Sequence, residues 1–204
     1  MKELYVDELS IPIKMCEKVY DSMRNRDAFE AVNSPVLIHV LSTYFPIFNV
    51  VKPDISVVGQ KDAYQFFGLK SLIRQLDLPI EVIISPIIRD SDGLACSSRN
   101  DFLTQPERER AVSIYKTLHE VSTWPNIESV EYIKEYITSH IQSKWCFVNI
   151  CCAETLEELH TIDRDAIVIV MAGPFGRKGL PLHKLVTDDG FKGVLTDNIV
   201  IKPK

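Results

Sequence analysis

Two short stretches of this chain carry residue types that suit a polyphosphate. The first is Val58-Gly59-Gln60-Lys61-Asp62, which ends an apolar run and opens a helical pattern. At such a junction backbone N–H groups and the positive end of a helix converge. Gly59 permits close approach to the backbone, and Lys61 adds a positive charge. Gln65 lies one helical turn beyond Lys61, so both can face one crevice. The second stretch is Asp92-Gly93-Leu94-Ala95-Cys96-Ser97-Ser98-Arg99-Asn100. Two hydroxyls and a planar guanidinium offer short donors plus a fork for phosphate oxygens. Each stretch also has a plainer reading: a solvated helix start for the first, an ordinary polar turn for the second.

The elements that must position these residues follow from periodicity. Residues 11–32 place Ile13, Cys16, Val19, Tyr20 and Met23 at helical spacing. Residues 35–51 read as a mostly buried helix that Pro46 kinks or ends. Residues 55–58 form a short apolar strand, 61–76 a helix, and 80–84 the next strand. That alternation predicts a parallel sheet. In a parallel sheet both strand ends point to one rim, so the two motifs can close on one ligand. Residues 85–105 form a long polar loop, and a loop of that kind with charges of both signs is expected to be functional. Beyond it the pattern predicts helices at 106–121 and 125–142, a strand at 144–152 and a short helix at 153–160. Strands at 166–171 and 193–201 complete the reading. Thr104 with Glu107 three residues on forms a capping box for the helix at 106.

Composition bounds the function. With 46% hydrophobic and 25% charged residues, the 204-residue chain is an ordinary globular protein. A formal net charge of −5 argues against nonspecific binding to nucleic acid or anionic membrane. The N-terminus has no apolar signal core, and the longest apolar stretch is too short and polar to span a bilayer. A cytoplasmic location is the expectation. The five cysteines have no metal spacing and are expected to be free thiols. Cys151-Cys152 is read as a strand pair rather than a redox pair.

Taken jointly, Gly59-Gln60-Lys61-Asp62-Ala63-Tyr64-Gln65 and Arg89-Asp90-Ser91-Asp92-Gly93-Leu94-Ala95-Cys96-Ser97-Ser98-Arg99-Asn100 resemble the signature of the pantothenate synthetase (pantoate–β-alanine ligase) family. That signature is a Gly-Glu-Lys-Asp turn, a Gln on the following helix and a Ser-Ser-Arg-Asn loop at matching spacing. Phe48-Asn49-Val50-Val51-Lys52-Pro53-Asp54 and Leu195-Thr196-Asp197-Asn198 extend the likeness over residues 40–204. The resemblance implies an α/β fold: a partial Rossmann-like nucleotidyltransferase domain with a parallel sheet, here 1–87, plus a smaller closing α/β domain, here 88–204. It implies a ligase reaction in which ATP, with Mg²⁺, and pantoate form a pantoyl adenylate that β-alanine then attacks. By the same resemblance Gly59, Gln60, Lys61 and Asp62 would line the ATP site, and Ile88 would touch adenine. Cys96, Ser97, Ser98 and Arg99 would hold the phosphates and Gln65 would bind pantoate. Lys61 and Arg99 would stabilise charge moving onto pyrophosphate. No metal ligands are expected from the protein itself.

The chain departs from the pattern in two places. Gln60 stands where the family has Glu. The family's His-x-Gly-His helix start, its first strand and a second pantoate-binding Gln have no counterpart here. The expectation is a ligase that is N-terminally truncated or degenerate, with a catalytically impaired nucleotide- or pantoate-binding relative as the alternative. A second expectation follows for the strand at 55–58, which loses its neighbour. Its apolar edge should be covered by the N-terminal helices, by a partner chain or by a second copy in a homodimer.

Overall fold

The computed structural model describes residues 30–125, 129–175 and 193–203. The helical pattern at 11–29, with Cys16, lies outside these, as do Ile127 and the segment 176–192. The chain divides into two compact units between Ser85 and Pro86.

In the first unit, helix α1 (Glu30–Val51) precedes strand β1 (Ile55–Gly59), helix α2 (Ala63–Gln75) and strand β2 (Glu81–Ser85). Helix α1 begins earlier than residue 35 and runs through Pro46 to Val51. Proline removes one N–H from the ladder, and the turns on either side carry the helix past it. The helix stops at Lys52, which takes a left-handed φ of 51° and returns its N–H to the Phe48 carbonyl at 2.9 Å. Pro53 follows and cannot continue the helix.

The core of this unit is the α1–α2 contact. Leu37, Leu41 and Phe48 face Phe67, Leu69 and Leu72, all at most 6% exposed. Burial of each such side chain contributes roughly 1.5–3 kcal/mol. A Cβ on Gly68 would lie 3.1 Å from Leu37, so glycine is what lets the helices approach here. Strands β1 and β2 pair in parallel, Ile55 opposite Glu81 through Gly59 opposite Ser85. The expected parallel arrangement is therefore present. Ile55, Val57 and Ile83 alternate onto a face that stays 42–64% exposed, and no described strand pairs with the outer edge of β1.

The second unit carries a three-stranded antiparallel sheet with two helices. Helix α3 (Gln105–Thr123) starts where expected. The Glu107 carboxylate accepts from the Thr104 N–H at 2.9 Å and from its hydroxyl at 2.7 Å. Helix α4 spans Val130–His140, shorter than the pattern at 125–142 suggests, because the Ser129 hydroxyl caps it by accepting from the Tyr132 N–H at 3.1 Å.

Strands β3 (Trp145–Cys152), β4 (Ala166–Gly173) and β5 (Leu195–Ile201) lie in that order, with β4 central and buried along its length. Ile114, Leu118, Ile133 and Ile137 from the helices pack on Ile150 and Val168 of the sheet. Trp124 joins this core at its rim, its ring edge-on to Tyr136 with centroids 4.8 Å apart.

One expected element is absent. Residues 153–160 do not form a helix. Leu156 returns its N–H to Cys152, then takes a left-handed φ of 62° that ends the turn after one cycle. The chain doubles back, with the Leu159 N–H donating to the Ile150 carbonyl at 2.9 Å. Leu156 and Leu159 are both buried, so tertiary packing overrides a helical composition here.

Cys96, Cys146, Cys151 and Cys152 are free thiols. Burial pushes the Cys146 thiol up to about 12, which removes it from thiolate chemistry.

Candidate functional site

The residues singled out in the sequence fall into two groups, one in each unit. Gly59, Gln60, Lys61, Asp62 and Gln65 belong to the first. Gly59 is the last residue of β1, and the Gln60 N–H donates to the Ser85 carbonyl at 2.9 Å. The C-terminal ends of the two parallel strands thus meet at this rim. Gly59 does not need to be glycine for its own conformation. It has no positive φ, and an added Cβ would meet nothing within 4 Å. The sharp turn that its presence suggested is made instead by residues 60–62. Asp62 caps α2 through its backbone, its carbonyl accepting from the Gln65 N–H at 2.9 Å. Lys61 and Gln65 are half-buried beside the first turn of α2.

Ile88, Cys96, Ser97, Ser98 and Arg99 belong to the second unit. Ile88 is 74% exposed, unusual for an isoleucine next to a core. The loop after it is built like a tight hairpin. Arg89 and Ala95 form an antiparallel bridge, the Asp90 N–H donates to the Leu94 carbonyl, and the Cys96 N–H donates to the Ile88 carbonyl. Leu94 and Ala95, each 3% exposed, anchor its returning arm in the core. Gly93 makes the bend with a φ of 91°.

A cavity of about 490 Å³ opens beside this loop, lined by Asp90, Cys96, Ser97, Ser98, Asn100, Asp101 and Arg108. Arg99 is not among the lining residues. It leans away, its Nη1 donating to the Val194 carbonyl at 3.1 Å.

The cavity wall contains groups that the sequence reading did not assign. Arg108 of α3 is held between two carboxylates, at 2.7 Å from Asp90 and 2.7 Å from Asp92. Its hydrogen bond holds both carboxyls below the usual range and raises the guanidinium in turn. The Cys96 thiol donates to Asp90 at 3.2 Å. Asn100 is buried. Its Nδ2 donates to the Ala95 carbonyl at 3.1 Å, and its Oδ1 is a buried acceptor with no donor. The ion pairs join residues 16 and 18 positions apart across a loop and a helix start. No local periodicity signals such a contact.

The lowered carboxylates set an acid limit. A carboxylate depressed in the folded state stabilises it fully above the ordinary value of 3.8, and this contribution fades as pH falls through the lowered value. The Arg108→Gln variant should therefore melt below the unmodified chain at neutral pH, and the two melting temperatures should converge at an acid pH below the lowered carboxyls. An equal gap at both pH values would show that Arg108 acts by packing and not by charge.

The family model described as pantoate-beta-alanine ligase matches residues 3–186. The pantothenate synthetase of Thermotoga petrophila is 42% identical over 132 residues, covering 62% of this chain and 47% of that protein. That of Thermoanaerobacter pseudethanolicus is 32% identical over 179 residues, covering 83% of this chain and 60% of that protein. Among solved structures, the pantothenate synthetase of Thermus thermophilus aligns with a TM-score of 0.64 at 25% identity, over 81% of this chain and 56% of that one. The fold is therefore of the nucleotidyltransferase-like kind. The chain spans about half the length of the curated relatives it matches. With a family match across most of its residues, the chain belongs to the pantoate-beta-alanine ligase family.

Proposed function

We propose that the chain acts in the joining of pantoate to β-alanine, with ATP consumed through a pantoyl adenylate and AMP and pyrophosphate released. The observation that carries this reading is the hairpin loop that presents Ser97 and Ser98 to a cavity, on a chain of this family. Gly59, Gln60, Lys61 and Asp62 line the ATP site, with Ile88 against the adenine. Cys96, Ser97, Ser98 and Arg99 surround the phosphates, and Gln65 binds pantoate.

Lys61 and Arg99 stabilise the charge that collects on pyrophosphate as the carboxylate of pantoate attacks the α-phosphorus. Arg99 keeps its Nη1 bond to the Val194 carbonyl and offers its remaining guanidinium N–H groups to the phosphates. Mg²⁺ enters with the nucleotide as part of the substrate. Among the described residues no group of three or more His, Cys, Asp or Glu side chains is placed to hold a metal ion. In this reading 1–87 is the partial Rossmann-like nucleotide-binding domain and 88–204 is the C-terminal closing domain that the family resemblance implies. The exposed Ile55, Val57 and Ile83 face suits a second protein surface.

The second reading is a nucleotide- or pantoate-binding relative whose turnover is impaired. Two measurements on the unmodified chain separate these readings. Pantoate-dependent exchange of labelled pyrophosphate into ATP supports the ligase. ATP binding by calorimetry without exchange supports the binding protein. Absence of both sinks the two readings together.

A further inference from the structure

We propose that Arg89 and Asp197 form a positioning pair that sets the shape of the phosphate-binding loop, so that strand β5 controls nucleotide affinity without touching the nucleotide. The inference rests on the reading of the 96–99 loop given above.

Asp197 lies in β5, opposite Val170 of β4, and is 2% exposed. An acidic side chain so deep in a sheet needs donors for both oxygens. Arg89 supplies a fork, with Nη1 at 2.6 Å from Oδ2 and Nη2 at 3.0 Å from Oδ1. The Asn198 N–H donates the carboxylate's third hydrogen bond, the second at Oδ1, at 2.8 Å. The guanidinium also donates to the Gly93 carbonyl at 3.1 Å and lies 4.4 Å above the Tyr115 ring. Arg89 is thus occupied on its edge and on its face, which makes it a structural group and not a ligand for phosphate.

These contacts reach the loop at both ends. Arg89 is its first residue and Gly93 its bend. At the other end Arg99 donates to the Val194 carbonyl, at the entrance to the same strand. The stretch Val194–Asp197 therefore holds the hairpin at its start and its finish. Ser97 and Ser98 sit between these fixings. A buried ion pair is weak evidence for stability, since apolar residues of like volume often serve the fold as well. What a bidentate pair supplies and an apolar pair does not is one angle and one register. The geometry here points to that role.

The test separates fold from positioning. In the double variant Arg89→Met, Asp197→Leu the pair is replaced by apolar volume, so the chain should melt close to the unmodified one. Its ATP affinity by calorimetry should still be at least about tenfold weaker, one decade of binding constant. Hydrogen exchange at the Asp90 and Cys96 amides should quicken. Arg89→Lys keeps the charge and loses the fork, and should show the same pattern in milder form if the double variant does not fold. Unchanged ATP affinity in a folded variant, or unchanged exchange at the two amides, overturns the inference. If the unmodified chain binds no ATP, the functional reading fails instead, and the exchange rates alone decide whether the pair shapes the loop.

Discussion

Alanine in place of Lys61 is expected to lower pantoate-dependent ATP–pyrophosphate exchange by roughly a hundred- to a thousandfold, the usual effect of removing one preorganised charge-stabilising group. The reason is its place in the fold. Lys61 lies in the turn between β1 and α2, one residue past the Gln60 N–H that ties the two strand ends together. Half-buried there, it has little conformational freedom to lose when an anion arrives. In the proposed site its ammonium and the amides of the first turn of α2 would both favour a developing negative charge. Lys61→Arg keeps the charge on a wider, planar group and should recover only part of the rate. If the unmodified chain binds ATP without exchange, the same substitution should be read in the binding constant. Exchange or binding that survives Lys61→Ala intact would remove Lys61 from the site.

Gly93→Ala should be among the most damaging small substitutions in the second unit. An alanine at a φ of 91° is strained wherever it sits, at about 1–2 kcal/mol for a left-handed L residue. Here the added methyl would also fall 2.0 Å from Cδ1 of Tyr115. The ring has to move, and overpacking of this sort costs about 1–3 kcal/mol. Together the two effects predict a loss of roughly 2–5 kcal/mol in urea denaturation. The displaced ring is the one beneath Arg89, so the damage should spread from the bend to the phosphate loop. A pair with Tyr115→Leu, which clears the space, should recover the steric part and leave the backbone part. A Gly93→Ala chain within half a kcal/mol of the unmodified one (about the scatter of neutral surface changes) would contradict the crowding seen around this residue.

Much of the fold could be read from residue order. The run of residues 55–85 alternates strand, helix and strand with the right periods, and the parallel pair follows. Thr104 and Glu107 mark the start of α3 because both halves of the cap lie in one short window. The reading failed where distant contacts decide. Residues 153–160 have a helical composition, but Leu156 and Leu159 are drawn into the core and the chain folds back on β3. Pro46 looks like a terminator and is not one, since flanking turns of α1 hold the helix together. At the site, the serines and Arg99 were visible as a motif. Arg108 and the partner of Arg89 were not, because an ion pair between positions 89 and 197 leaves no trace in local spacing. Gly59 was correctly placed at the rim but for a reason the backbone does not support.

The division of the chain has an optical consequence. Both tryptophans, Trp124 and Trp145, fall on the same side of the Ser85–Pro86 boundary. Fluorescence excited at the red edge of protein absorption therefore reports residues 86–204 alone. A spectroscopist following unfolding that way has no tryptophan in α1, α2 or the parallel strands to follow. Tyrosine emission, to which Tyr5, Tyr20, Tyr44 and Tyr64 contribute, is the intrinsic signal that residues 1–85 provide.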